Sequence, residues 1–179
     1  MLTAYFSQKS GVEEVDKAAG FEYWTVLRQD WLEYNYLTPG CAIHFPEYQS
    51  EHVLTISYDP SFKQRYFDPY NVGKFAAAAL LEPVGFYGHV IEIAGESLTF
   101  EEVVERLSKV SDVQVPVRFR TEEEREELVE SKKMPVIELQ LWNREFNLEY
   151  DPKTFESMGL NLGRWTSIWR GRREDCWRR

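Results

Sequence analysis

The sequence is short of cysteine, histidine, clustered glycine and long apolar runs, and each shortage removes a class of answer. Cys41 and Cys176 are the only thiols. Two distant cysteines give neither a disulfide framework nor a thiolate metal site, and they fit a reducing compartment. His44, His52 and His89 lack ligand-like spacing, which argues against zinc. No stretch approaches the ~18 consecutive apolar residues of a membrane span. Met1 to Ser10 has no long apolar core of the kind a signal peptide carries. The expected location is the cytoplasm, with the nucleus as the alternative, and no membrane partner. Basic charge is also in deficit. A net charge of −9 argues against a non-specific grip on a phosphate backbone, so no direct nucleic-acid partner is expected. Arg170, Arg172, Arg173, Arg178 and Arg179, opposed by Glu174 and Asp175, read as a solvated tail.

What is present points to a packed globule. The chain has 179 residues, 43% hydrophobic and 15% aromatic, enough for one domain with a sizeable core. Strand-like and helix-like segments alternate without repeats, which predicts an α/β architecture. Phe6 to Ala19 reads as a helix with Val12, Val15 and Ala19 on one face, stopped by Gly20. Phe21 to Leu27 is nearly continuously apolar, as a strand covered on both faces would be. A helix, a glycine stop and a buried strand form half of a βαβ crossover. The other strand is expected before Met1, as if the chain began in the middle of a sheet.

Further on, Gln29 to Thr38 is aromatic and polar, and Pro39-Gly40 reads as a turn that ends it. Val53 to Tyr58 and His89 to Ile93 read as strands. Asn71 to Leu81 places Val72, Phe75, Ala76, Ala79 and Leu80 on one helical face. Thr99 and Glu102 form a capping box ahead of the stripe Phe100, Val103, Val104 and Leu107. Val113, Val115, Val117 and Phe119 alternate, and Pro116 restricts that strand to a sheet edge. Thr121 caps a helix whose first turn, Glu122 to Glu124, is acidic. The run Glu122 to Glu127 reads as a solvated face. Pro135 interrupts that helix or starts another, and a short Trp-rich helix is expected near Leu162 to Trp169.

This order of segments resembles the NmrA-like family, atypical short-chain dehydrogenases/reductases of the NAD(P)-binding Rossmann superfamily. Tyr5-Phe6 followed by Lys9 and Val12-Glu13-Glu14 resembles its aromatic-Phe-x-x-Lys and Val-Glu-Glu signature. Thr25-Val26-Leu27-Arg28 resembles the next strand, and Trp31-Leu32-Glu33-Tyr34-Asn35 the aromatic-Asn stretch. Asn71-Val72-Gly73 with its Ala-rich continuation, and Leu98-Thr99-Phe100-Glu101-Glu102, resemble two later helix starts. Gln29 stands where Pro is usual, and Asn71 where Asp is usual. The ten glycines contain no G-x-x-G-x-x-G turn, whose amides and helix N-terminus would hold a pyrophosphate.

The resemblance implies the carboxyl-terminal part of a Rossmann-like doubly wound parallel sheet plus a small α+β domain, with the nucleotide-binding strands missing. About 1–38 would be the last part of the sheet, and about 39–179 mostly the smaller domain. It implies NADP or NAD in the full-length parent, with weak or no binding by this chain alone. Tyr5 and Lys9, four apart on one helical face, match the family's Tyr-x-x-x-Lys. There the ammonium lowers the phenol pKa so that tyrosine passes a proton to a carbonyl oxygen, and lysine also meets the nicotinamide ribose. The plainer alternative is a packed Tyr5 and a solvated Lys9. Asn35 and Trp31 are candidate substrate residues, against a turn or cap for Asn35 and a core anchor for Trp31. The same core or interface role is expected of Trp24, Trp142, Trp165, Trp169 and Trp177. The parent would be an NADP-dependent oxidoreductase acting on a small molecule. Alternatively, it would be a non-catalytic NADP sensor acting through a regulatory protein partner. Self-association of this chain is expected from a bare sheet edge.

Overall fold

The first helix, α1 (Leu2–Ala18), ends before Gly20, whose φ of +76° is the left-handed geometry a non-glycine residue resists. The structure is a computed structural model describing residues 2–37, 39–134 and 136–145, with residues 2–5, 144 and 145 described by backbone only. Strand β1 (Val26–Gln29) follows α1 and pairs in parallel with β5 (Val90–Ile93), Val26 opposite Val90 and Gln29 opposite Ile93. The strand is therefore shorter and later than the expected Phe21 to Leu27. Residues 21–25 lie outside the ladder, and Phe21 and Tyr23 are exposed. The apolar run owes its character to local ring packing rather than to two-sided burial. Tyr23 and Trp24 each meet Tyr87 edge-on, at 5.9 and 6.1 Å between centroids. Lys17 Nζ lies over Trp24 at 5.8 Å, and the Thr25 hydroxyl donates to the Phe86 carbonyl at 2.8 Å.

Helices cover both faces of this sheet. Arg28 and Glu92 share one face, and Arg28 donates to Glu13 of α1 at 2.9 and 2.8 Å. Leu27, Ile91 and Ile93 occupy the other face. There they pack with Val72 and Phe75 of α4 (Pro69–Leu81) and Phe86 of α5 (Pro83–Phe86). Val26 N–H and Asp30 N–H donate to the His89 and Ile93 carbonyls at 2.9 and 3.0 Å. Because backbone groups alternate along a parallel strand, Leu27 and Gln29 direct theirs to the opposite edge. No described strand pairs with that edge. The Val12 and Val15 side chains of α1 are 60% and 67% exposed, so the expected apolar face of that helix is uncovered among the described residues.

A three-stranded sheet runs β2 (Trp31–Leu32), β4 (Gln64–Phe67), β6 (Glu96–Leu98), with β2 parallel and β6 antiparallel to β4. A 3-10 turn, Glu33–Tyr36, follows β2. Strand β3 (Leu54–Ile56) pairs in parallel with β7 (Val117–Phe119). Pro39-Gly40 starts a helix instead of closing a turn, because Pro39 holds helical dihedrals ahead of α2 (Gly40–His44), which buries Cys41. Helix α3 (Pro46–Glu51) follows. Tyr36, Phe45, Tyr48, Tyr58, Tyr66 and Phe100 lead the larger core, which also receives α6 (Phe100–Ser111).

Several local expectations hold. Thr99 and Glu102 close the capping box of α6, and Phe100, Val103, Val104 and Leu107 are buried. Val115 is buried and Gln114, Pro116 and Arg118 are exposed, as the alternation predicts. The ladder takes only Val117–Phe119 of the expected Val113 to Phe119 strand, at an edge among the described residues, and Pro116, just ahead of it and lacking an N–H, contributes its carbonyl to Leu54 N–H at 2.9 Å. Thr121 and Glu124 form a second capping box on α7 (Glu122–Ser131), which ends before Lys132 at φ 54°. Helix α8 (Ile137–Glu145) is separate. Leu80 departs from its expected buried stripe and is exposed. Among the described residues no helix is long and apolar enough to cross a membrane. Pro135, the expected helix near Leu162 to Trp169, Trp165, Trp169, Trp177, Cys176 and the arginine tail lie outside the described residues.

Candidate functional site

In open α/β sheets ligands gather outside the carboxyl ends of parallel strands. Here that end is built from Asp30, β2 and the 3-10 turn. Asp30 terminates β1, and its carboxylate accepts from Trp31 N–H at 2.8 Å and pairs with Arg65 Nε at 2.5 Å. Burial raises the Asp30 pKa, and Arg65 opposes that shift. The ion pair ties the end of β1 to β4, so the residues after it inherit a fixed direction. Trp31 stands opposite Tyr66, meets His44 edge-on at 4.7 Å and lies 6.1 Å from Phe45. Its Nε1 and the Nδ1 of His44 are buried without hydrogen-bond partners among the described residues. Burial lowers the His44 pKa, which favours the neutral ring. Asn35 is half-buried on the 3-10 turn, with Gly40 so close that a Cβ there would sit 3.3 Å from Asn35 Cα. Tyr36 and Tyr66 share a 2.7 Å hydroxyl–hydroxyl bond beneath them.

Helix α1 runs antiparallel to β1. Lys17 reaches Trp24 while Glu13, one turn earlier, reaches Arg28 four residues further along the strand. Continuing the helix toward its start carries Lys9, and then Tyr5, toward the carboxyl end of β1. The Phe6 ring lies 5.2 Å from Trp142 of α8, which ties that end of α1 to the second half of the fold. Trp142 is thereby an anchor. Lys9 is exposed on α1. The Tyr5 side chain lies outside the described residues.

The sequence profile of the NmrA-like family matches residues 2–161. The chain belongs to the NmrA-like family. No curated protein matches the sequence significantly. Several solved structures match the NmrA-like fold. A nucleoside-diphosphate-sugar epimerase from Staphylococcus aureus is 14% identical with a TM-score of 0.64, covering 90% of this chain and 56% of its own. A triphenylmethane reductase from Citrobacter sp. is 17% identical with a TM-score of 0.59, covering 85% and 53%. A UDP-N-acetylglucosamine 4-epimerase from Methanobrevibacter ruminantium is 16% identical with a TM-score of 0.53, covering 95% and 50%. At these identities the likeness establishes a Rossmann-like α/β fold. The NmrA-like chain spans about half the length of the structures it matches.

The NmrA-like family implies a dinucleotide, and the described residues do not fit its pyrophosphate. Gly85 and Gly88 precede β5 instead of following a strand, and Gly88 N–H is already given to the Trp24 carbonyl at 2.9 Å. Among the described residues no group of three His, Cys, Asp or Glu side chains could hold a metal ion. Asp30, Glu33, His44 and Arg65 were not singled out as site residues from sequence. The available signal was Glu33, an acid within the aromatic run Trp31 to Tyr36.

Proposed function

We propose that this chain supplies the substrate-facing half of an NAD(P)-dependent oxidoreductase of the atypical short-chain dehydrogenase/reductase type. The observation that supports the reading is the direction of α1, whose backbone runs from the Lys17–Trp24 contact past Glu13–Arg28 toward the carboxyl end of β1. In this reading Tyr5 holds the proton exchanged with a small carbonyl substrate, Lys9 keeps the phenol acidic, and Asn35 and Trp31 bind the substrate. A dinucleotide held by a partner sheet would supply the hydride in this reading. The edge of β1 that no described strand pairs with, and Val12 and Val15, exposed among the described residues, are where such a sheet would join.

The test is to supply a nucleotide-binding half beside β1 and follow NADPH oxidation with carbonyl substrates. Turnover is expected, with about a hundredfold loss in Tyr5→Phe. A second reading, a non-catalytic dinucleotide sensor with a protein partner, is favoured by the exposed aromatic and aliphatic side chains Tyr23, Tyr87, Leu81 and Val84 around the strands' amino ends. Absence of turnover with every substrate, together with retained NADPH binding, selects it. The chain alone is expected to bind NADPH weakly or not at all and to self-associate. Calorimetry showing micromolar NADPH binding to a monomer overturns that expectation.

A further inference from the structure

Glu33 opens the 3-10 turn, yet it is 2% exposed. Its Oε2 is buried with no hydrogen-bond partner among the described residues. The β2–β4–β6 sheet brings other charges to the same end. Asp68 follows β4 at the cap of α4, and Glu96 begins β6 opposite Tyr66. Arg106 of α6 is the opposing cation, but its guanidinium is committed to both oxygens of Glu96, at 2.5 and 3.0 Å. Tyr36 and Tyr66 complete the surroundings, and burial raises both phenol pKa values so that they stay neutral. An ionised Glu33 would face two carboxylates with its Oε2 unsolvated, at a cost the Arg106 charge offsets only in part.

We propose that Glu33 is a proton-holding strut: its neutral carboxyl seats the Asn35-bearing turn against the β2–β4–β6 sheet, and loss of the proton releases that turn. Burial, then Asp68 and Glu96, push its pKa from 4.5 up to about 8, with Arg106 opposing. The sign follows from proton counts. Below 4.5 folded and unfolded chains both hold the proton, and the contribution of Glu33 to stability is complete. Between 4.5 and about 8 only the folded chain holds it, so stability falls as pH rises. Above about 8 the loss is finished. The device stands independently of any dinucleotide or reaction.

The test compares the full chain with Glu33→Gln, which keeps the shape and cannot ionise. Between pH 5.5 and 8.5 the unfolding constant from urea titration should rise more than tenfold in the wild type relative to the variant. A pH-independent ratio overturns the proton site. The turn itself is read at Leu37 N–H, which donates to the Tyr34 carbonyl at 2.9 Å. Its hydrogen-exchange protection, corrected for intrinsic rate, should fall more than tenfold over the same range in the wild type and stay constant in Glu33→Gln. Equal protection at both pH values overturns the release of the turn. Should Glu33→Gln fail to fold, the carbon-13 shift of the Glu33 carboxyl in the wild type decides the proton site. A midpoint near 8 supports the strut, and one near 4.5 overturns it.

Discussion

Replacing Arg120 by Ala is expected to destabilise the chain by about 3 kcal/mol, the lower end of the range for breaking a buried ion pair from one side. Arg120 is 4% exposed and its guanidinium is shared among separate elements. Nη2 pairs with Glu47 of α3 at 2.5 Å, and Nη1 donates to the Thr55 carbonyl at 3.2 Å on β3. Its backbone N–H extends the β3–β7 ladder to the Ile56 carbonyl at 2.8 Å. Next to this knot Ser57 N–H donates to Gln140 of α8 at 2.8 Å. Truncation would leave the Glu47 carboxylate facing a void and strip the Thr55 carbonyl of a donor. Glu47 keeps some contact with water, which is why the loss falls at the low end. For a chain of this size the melting temperature should drop by roughly 6–12 °C. Arg120→Lys, which retains charge but cannot span both acceptors, should fall between the two. A loss below about 1 kcal/mol in urea unfolding would mean that solvent satisfies the pair.

Arg120 also illustrates what sequence could reveal and what it could not. Thr99 with Glu102, and Thr121 with Glu124, announce their helices because the capping bond closes within one turn. Val113 to Phe119 shows its alternation because successive side chains of an extended segment point to opposite faces. By contrast, nothing near Arg120 says that Glu47 waits across the fold. Likewise the burial of Glu33 depends on β4, β6 and α6, which reach it only through tertiary packing. The aromatic run at Phe21 to Leu27 misleads in the opposite direction. Rings that meet Tyr87 edge-on carry the same apolar character as a strand packed on both faces, so the ladder begins later than the pattern suggests.

For the candidate site, spacing placed Trp31 and Asn35 on one segment, and the structure sets that segment at the end of β1. The direction of α1 rests on the Lys17–Trp24 and Glu13–Arg28 contacts, which no periodicity contains. The local polarity of the site was also hidden. Asp30 reads as an ordinary loop acid until Arg65 is seen beside it, and His44 reads as isolated until Trp31 meets its edge.

The division of the fold into two cores leads to the second large effect, at Phe75. On β4 adjacent residues point to opposite faces, so Tyr66 enters the larger core while Phe67 enters the smaller one. The smaller core consists of Phe67, Phe75, Ile91 and Ile93, with Leu27, Val72 and Phe86 at its margin. Phe75 is the fully buried apolar side chain α4 gives it. Phe75→Ala removes a ring that no neighbour can replace, at a cost of about 3–5 kcal/mol. So small a cluster has little left with which to hold α4 on Leu27 and Ile91. The loss should therefore be felt locally first. Hydrogen exchange across residues 69–93 should accelerate by roughly two to four orders of magnitude, following that free energy. The amides of α6, which pack into the larger core, should change far less. Uniform acceleration in both regions would show that the cores unfold as one unit and that β4 couples them rigidly through its pleat.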